Sequence, residues 1–221
     1  MDGLLSSDGR ATGREFFARA RARFTLDVPP ALTDLTVPAT RGDLDLDPSL
    51  WERAGVAATR PAAVLVGVVD RPEPTVLLTL RTAALEIHAG QIAFPGGKIE
   101  AGDASPVAAA LREAQEEIGL DRSLVDPIGH LDLYLTFSGF RILPTVARVD
   151  PNHRLTLNRS EVDEAFEVPL AFLMDAQNHA LHSRDWKGVI RRYYAMPFGE
   201  RYIWGVTAGI LRNLYERIYL G

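Results

Sequence analysis

Three glutamates, Glu113, Glu116 and Glu117, follow a Gly96-Gly97 corner within one alanine-rich stretch. On a helix, positions i, i+3 and i+4 point to one side. Carboxylates crowded there repel one another, and a divalent cation relieves that repulsion, because hard oxygen ligands suit Mg²⁺ or Mn²⁺. A metal site beside a glycine corner predicts phosphate chemistry. The competing reading is a solvated acidic helix face, as in most Glu-rich helices. The residues around the glutamates decide between the two.

The elements that must hold these side chains follow from local pattern. Ser105 to Ile118 reads as a helix, with Ser105 as its cap, Pro106 in its first turn and Gly119 as its stop. Its apolar positions Val107, Ala110, Leu111, Ala114 and Ile118 form a stripe centred about a third of a turn from the glutamates, so one side is free for a metal. Ala62–Val69 and Thr75–Leu80 are apolar and β-branched around Asp70-Arg71-Pro72-Glu73-Pro74, which predicts a hairpin. Gln91–Phe94 predicts a short strand entering the glycine corner. Leu131, Leu133, Leu135 and Phe137 alternate with His130, Asp132 and Thr136, the pattern of a half-buried strand. Phe140–Val149 and Ile190–Met196 are further strands, and Ile203–Leu220 reads as a closing helix with Ile210, Leu211, Leu214 and Ile218 on one side. Mixed strands with separated helices point to an α/β (α+β) sandwich.

Residues 1–58 have another character. Glu15 to Phe24 is helical in pattern, and a Pro-, Asp- and Thr-rich connector follows. We expect residues 1–58 to form an N-terminal helix and extended connector packing on the core, and residues 59–221 to form the main domain with its C-terminal helix.

At 221 residues the chain can bury a substantial core. Its net charge of −5 offers no broad attraction to nucleic acid or anionic membrane. The absence of cysteine removes disulfides, thiolate metal sites and Cys nucleophiles. The longest apolar stretch, Ala62 to Val69, is too short to span a bilayer, and the N-terminus lacks a signal-peptide pattern. A soluble cytoplasmic protein is the expectation, with a homodimer left open.

Arg112-Glu113-Ala114-x-Glu116-Glu117-x-Gly119-Leu120, preceded by Gly96-Gly97, resembles the Nudix box, G-x5-E-x7-R-E-U-x-E-E-x-G-U, the signature of the Nudix hydrolases. The resemblance implies a Nudix-type α/β/α sandwich with a mixed β-sheet. It implies an enzyme that uses Mg²⁺ or Mn²⁺ to cleave nucleoside diphosphates linked to another group. It makes Glu113, Glu116, Glu117 and the Gly96 carbonyl the metal ligands and Arg112 the residue that orients a neighbouring glutamate. Asp103 stands where the box has its first Glu, and eight residues instead of seven separate it from Arg112. That departure leaves the usual ion pair between this acid and Arg112 without support from the sequence.

A second pattern lies upstream. Leu77-Leu78-Thr79-Leu80-Arg81-Thr82, Gly90-Gln91 and Phe94-Pro95-Gly96-Gly97 resemble the signature of the coenzyme A diphosphatase branch, LLTxR(S/A)x3Rx3Gx3FPGG. The likeness implies cleavage of coenzyme A or its derivatives to 4′-phosphopantetheine and adenosine 3′,5′-bisphosphate. Arg81 and Gln91, with His88 two residues before Gly90, are the candidate substrate contacts. Thr82 and Glu86 depart from the pattern, the latter replacing an Arg. Glu86 keeps an alternative open: another nucleoside diphosphate derivative such as ADP-ribose, NADH or a dinucleoside polyphosphate. A non-catalytic nucleotide-sensing domain is the remaining reading, although such domains usually lose box residues that are retained here. Glu113 or a loop acid such as Glu161 is the candidate general base, with Glu164 a further remote acid. Arg191 and Arg192 read as a surface pair or a phosphate clamp, and Tyr202 and Trp204 as core or as a platform for adenine.

Overall fold

The computed structural model describes residues 13–39, 41–43, 45–47, 60–84, 89–186 and 188–220. Strand β2 (Arg60–Val69) shows how its layers form. Its Ala63, Leu65 and Val69 pack with Ala109, Ala110, Ala114 and Ile118, whereas Val66 and Val68 join Phe16, Phe17, Ile210, Leu211 and Leu214. Successive strand side chains point to opposite faces, so a strand covered on both reads as a continuous apolar run. One covering layer is helix α2 (Pro106–Ile118). The other comprises α1 (Gly13–Arg23) and α4 (Val206–Tyr215). The result is an α/β/α sandwich.

The central sheet is mixed. Strand β2 runs parallel to β8 (Phe140–Val149) along its whole length, from Arg60↔Phe140 to Val69↔Val149. It meets β3 (Thr75–Arg81) antiparallel only at the hairpin end, Val68↔Val76 and Val69↔Thr75, and then pairs with β5 (Gly96–Lys98). β3 in turn pairs with β4 (Ile92–Ala93) and β9 (Val162–Pro169). β6 (Val125–His130) and β7 (Tyr134–Leu135) line β8, and β1 (Arg41–Gly42) extends the edge parallel to β7. A short α3 (Leu170–Leu173) leads to a separate antiparallel sheet of β10 (Ala180–Trp186), β11 (Val189–Phe198) and β12 (Arg201–Trp204). None of the described helices is long and apolar enough to cross a membrane.

Phe16, Phe17, Ala20 and Phe24 of the N-terminal segment are buried in the core. The connector behind them is pinned by Arg141, only 5% exposed, whose Nη1 donates to the carbonyls of Ala31, Asp34 and Val37. Backbone oxygens thus satisfy Nη1 of this buried guanidinium, while its Nε has no partner among the described residues.

Two expected elements differ. The alternating segment from Leu131 to Phe137 is not a half-buried strand: only Tyr134 and Leu135 pair, Thr136 is buried and Phe137 is exposed. Its polar members find partners inside. Asp132 accepts from Asn213 Nδ2 at 2.9 Å, and the Tyr134 hydroxyl donates to Asp43 Oδ1 at 3.0 Å. The closing helix also begins later than its pattern suggests. Ile203 and Trp204 pair with Met196 and Ala195 on β11, and Gly205, at φ 62°, turns the chain into α4. Glu216–Leu220 then continues as a π-helical turn. The expected strand Ile190–Met196 lies within β11, whereas strand β10 had no counterpart among the elements expected from sequence.

Candidate active site

Helix α2 forms as its sequence dictates. Ser105 Oγ accepts from Ala108 N at 3.1 Å, Pro106 opens the first turn, and a left-handed Gly119 ends the helix. The helix packs over β5, and this contact fixes the glycine corner. A Cβ added to Gly97 would lie 2.5 Å from the Glu113 carboxyl carbon, so only glycine leaves room for that carboxylate. Gly96 N donates to Glu117 Oε2 at 3.1 Å.

The three glutamates part company. Glu113 and Glu117 line a cavity of ≈ 960 Å³, whereas Glu116 lies on its outer side with 55% of its side chain exposed. Glu117 belongs to the buried face of the helix at 2% exposure, contrary to the expectation that the glutamates share an open side. Its position places it against β5, where the Gly96 amide receives it. Burial pushes its carboxyl up to about 7, against the pull of that amide and Arg81, and the charges of Glu113 and Glu161 add to the rise. Burial likewise raises Glu113 above the ordinary carboxylate range, with Arg112 opposing.

Arg112 organises the outer part of the site. Its Nη1 donates to Glu113 Oε1 and Glu116 Oε2, both at 2.9 Å, and its Nη2 to the Lys98 carbonyl at 3.1 Å. Nε and Nη2 grip both oxygens of Asp103 at 3.0 Å. This corrects the sequence-based concern that the altered spacing removes the pair. The hydrogen bonds from Arg112 hold Asp103 below its usual carboxylate range, and those bonds raise Arg112 in turn.

Backbone pairing assembles the opposite wall. Arg81 N donates to the Gln91 carbonyl at 3.0 Å, and Thr82 N to the Glu161 carbonyl at 2.9 Å, beside a register shift between Leu80 and Arg81. Arg81, Gln91 and Glu161 therefore line the same cavity as Glu113 and Glu117. Arg81 Nη1 reaches Glu117 Oε1 at 3.4 Å, while its Nε is buried without a partner. Glu161 Oε1 accepts from Asn158 Nδ2 at 3.0 Å. Glu164 is engaged by Arg201 and does not line the cavity. Glu86 and His88 lie outside the described residues.

Among the described residues no three His, Asp or Glu side chains converge on a single point that would grip an ion. Arg112 supplies the positive charge between Glu113 and Glu116, and Arg81 faces Glu117. The donor set nevertheless fits a hard divalent cation. Two carboxylates raised by burial and by their acidic neighbours stand at the cavity wall beside Gly96, with a third at its margin.

The separate sheet contributes residues that sequence reasoning passed over or left undecided. Arg184, Trp186, Arg191, Arg192 and Trp204 line the cavity, as does Asp43 from the N-terminal segment. Tyr202 does not; its hydroxyl meets His182 Nδ1 at 2.7 Å. A turn signal at Lys187-Gly188 between two polar-aromatic runs was the available clue to this hairpin.

The family comparisons make this a hydrolase of phosphorus-containing acid anhydrides, a class that the sandwich and its charged cavity suit. The chain belongs to the NUDIX domain family, whose match covers residues 58–188. Enzymes of this family in general depend on divalent metals. The chain is similar to the uncharacterized Nudix hydrolase NudL of Cronobacter sakazakii, 43% identical over 167 residues covering 72% of this chain and 83% of that protein. It is 40% identical to the NudL of Yersinia pestis over 164 residues, 73% of this chain and 81% of that one. Among solved structures, a C. elegans Ap4A hydrolase binary complex matches at 19% identity and a TM-score of 0.43, over 49% of this chain and 80% of that chain.

Proposed function

We propose that the chain cleaves the diphosphate bridge of coenzyme A or its derivatives, releasing 4′-phosphopantetheine and adenosine 3′,5′-bisphosphate. One observation carries this reading: Arg81, Gln91, Gly96 and Gly97 of the coenzyme A-type signature share a cavity with Glu113, Glu117 and Glu161. The cavity, at ≈ 960 Å³, stands near the upper end of the range of roughly 300–1,000 Å³ for small-molecule sites. That size suits a nucleotide with a long arm.

Glu113, Glu116, Glu117 and the Gly96 carbonyl would hold divalent cation, Mg²⁺ or Mn²⁺, which when bound supplies positive charge against the diphosphate oxygens. Glu161 takes the proton of the attacking water. One of its oxygens is held by Asn158, and the other has no hydrogen-bond partner among the described residues. Glu113 is the second candidate for this role, with Oε1 already held by Arg112. The water oxygen bonds to phosphorus as the bridging P–O bond breaks, and the bridging oxygen leaves with the departing phosphate. Arg81, with a buried and unpartnered Nε, and Gln91 face the substrate. His88 is assigned to the substrate from sequence. Arg112 acts through its neighbours, fixing Glu113 and Glu116 in place.

Glu86, where the branch signature has Arg, favours a second reading in which ADP-ribose, NADH or a dinucleoside polyphosphate is the substrate. Side-by-side kcat/KM values for these compounds and coenzyme A, with Mg²⁺ and with excess EDTA, test both. Coenzyme A should give the highest value, and EDTA should abolish it. A higher value for another compound replaces the first reading with the second.

A further inference from the structure

Arg184 and Arg191 stand directly opposite each other across the β10–β11 ladder, and both line the cavity. Like charges in that relationship repel and weaken the pairing of the strands. Neither forms an ion pair with any described residue. Asp43 feels the charge of Arg191 but is occupied by Tyr134 and the Phe137 amide.

Arg191 is held by its faces. Its guanidinium carbon lies 3.5 Å from the centroid of the Phe137 ring and 5.7 Å from that of Trp186. A guanidinium stacked in this way keeps its N–H edge available in plane for an oxyanion. Its Nε is buried and has no hydrogen-bond partner, a costly state that an incoming acceptor relieves. Repulsion between two arginines, stacking that orients one of them and an orphaned donor all point to an anion.

We propose that Arg184 and Arg191 clamp a phosphate monoester of the substrate, separate from the diphosphate that the acidic part of the cavity receives. Two guanidinium charges match the near-dianion that a phosphate monoester carries at neutral pH. The inference rests on the coenzyme A reading of the same site: coenzyme A carries such a monoester on its ribose, and ADP-ribose and NADH do not. The position where the branch signature has Arg is Glu86 in this chain, and Arg184 and Arg191 of the separate sheet supply cationic charge to the cavity.

Adenosine 3′,5′-bisphosphate and AMP differ by one monoester, so titration calorimetry of the metal-free protein with each reads the clamp without turnover. The native protein should bind the bisphosphate about tenfold or more tightly than AMP. The double variant Arg184→Ala, Arg191→Ala should bind the two equally, and Arg191→Lys should keep only part of the preference. If the double variant does not fold, Arg184→Gln at an exposed position must reduce the preference severalfold. Equal binding by the native protein, or a preference that survives these substitutions, overturns the clamp. Neither probe contains a diphosphate. A protein that cleaves ADP-ribose but not coenzyme A, yet prefers the bisphosphate, would remove the substrate reading and leave the clamp standing.

Discussion

Arg112 and Asp103 meet through two parallel hydrogen bonds, Nε to Oδ1 and Nη2 to Oδ2, each 3.0 Å. The shorter acid and the longer loop offset each other, so the fork-to-carboxylate geometry is kept. Through this grip Arg112 is held where its third nitrogen reaches both Glu113 and Glu116. Asp103→Asn should therefore lower kcat by about ten- to a hundredfold, the usual cost of losing a residue that orients a ligand. A circular dichroism spectrum and melting curve that stay native alongside the loss would separate orientation from folding. Unchanged kcat would show that Arg112 keeps its place without Asp103.

Gly97→Ala tests the close approach of the corner to the helix. The new Cβ would sit 2.5 Å from the Glu113 carboxyl group and must displace it. A misplacement of about 1 Å at reacting groups costs on the order of a hundredfold in rate. We expect a loss of that size in kcat/KM with the melting temperature nearly unchanged, because the displaced carboxylate has cavity to move into. Near-native activity in the Gly97→Ala variant would mean that Glu113 has no fixed role.

Glu117 pits stability against activity. Burial to 3% side-chain exposure makes the Glu117 charge costly, and Arg81 at 3.4 Å with the Gly96 amide offsets only part of that cost, as its raised carboxyl shows. Glu117→Gln keeps an oxygen for the Gly96 amide and removes the charge. The metal-free variant should melt at or above the native temperature, while metal-dependent turnover falls by about two orders of magnitude or more. Full turnover at limiting Mg²⁺ would take Glu117 out of the ligand set.

Acid stability should report on Glu167. Hydrogen bonds from Arg71, Nε to Oε2 and Nη2 to Oε1 at 2.7 Å, hold its carboxyl below the ordinary value of 4.5. A folded pKa below the unfolded one gives stability that is present above 4.5 and lost as the pH falls through the lower folded value. Glu167→Gln should be less stable than the native protein at pH 7 by about 1–3 kcal/mol. Urea titrations should show the gap closing as the pH drops below that point. A gap independent of pH would assign the loss to packing.

Much of the fold was legible in local pattern. The α2 helix, its Ser105 cap and its Gly119 stop match the structure, because capping and helical periodicity act within a few residues. The hairpin of β2 and β3 was legible for the same reason. The segment from Leu131 to Phe137 was misread because alternation implies a half-buried strand only where water covers one side. Here Asn213 and Asp43 provide the polar partners from within the fold. Ile203 and Trp204 suit a helix or a strand equally, and pairing with β11 chose the strand.

The sequence by itself determined that three carboxylates and an arginine ride one helix beside a glycine corner, and with them the family. Spacing and capping are short-range properties, so they can be read residue by residue. Only the tertiary structure decided that Glu113 and Glu117 face the cavity while Glu116 turns outward, and that Asp103 still grips Arg112. It also brought Arg81, Gln91 and Glu161 together and set Arg184 against Arg191 on a second sheet. Those relationships depend on strand register and on how closely layers approach. Both are set by burial of side chains far apart in the chain, which no local pattern records.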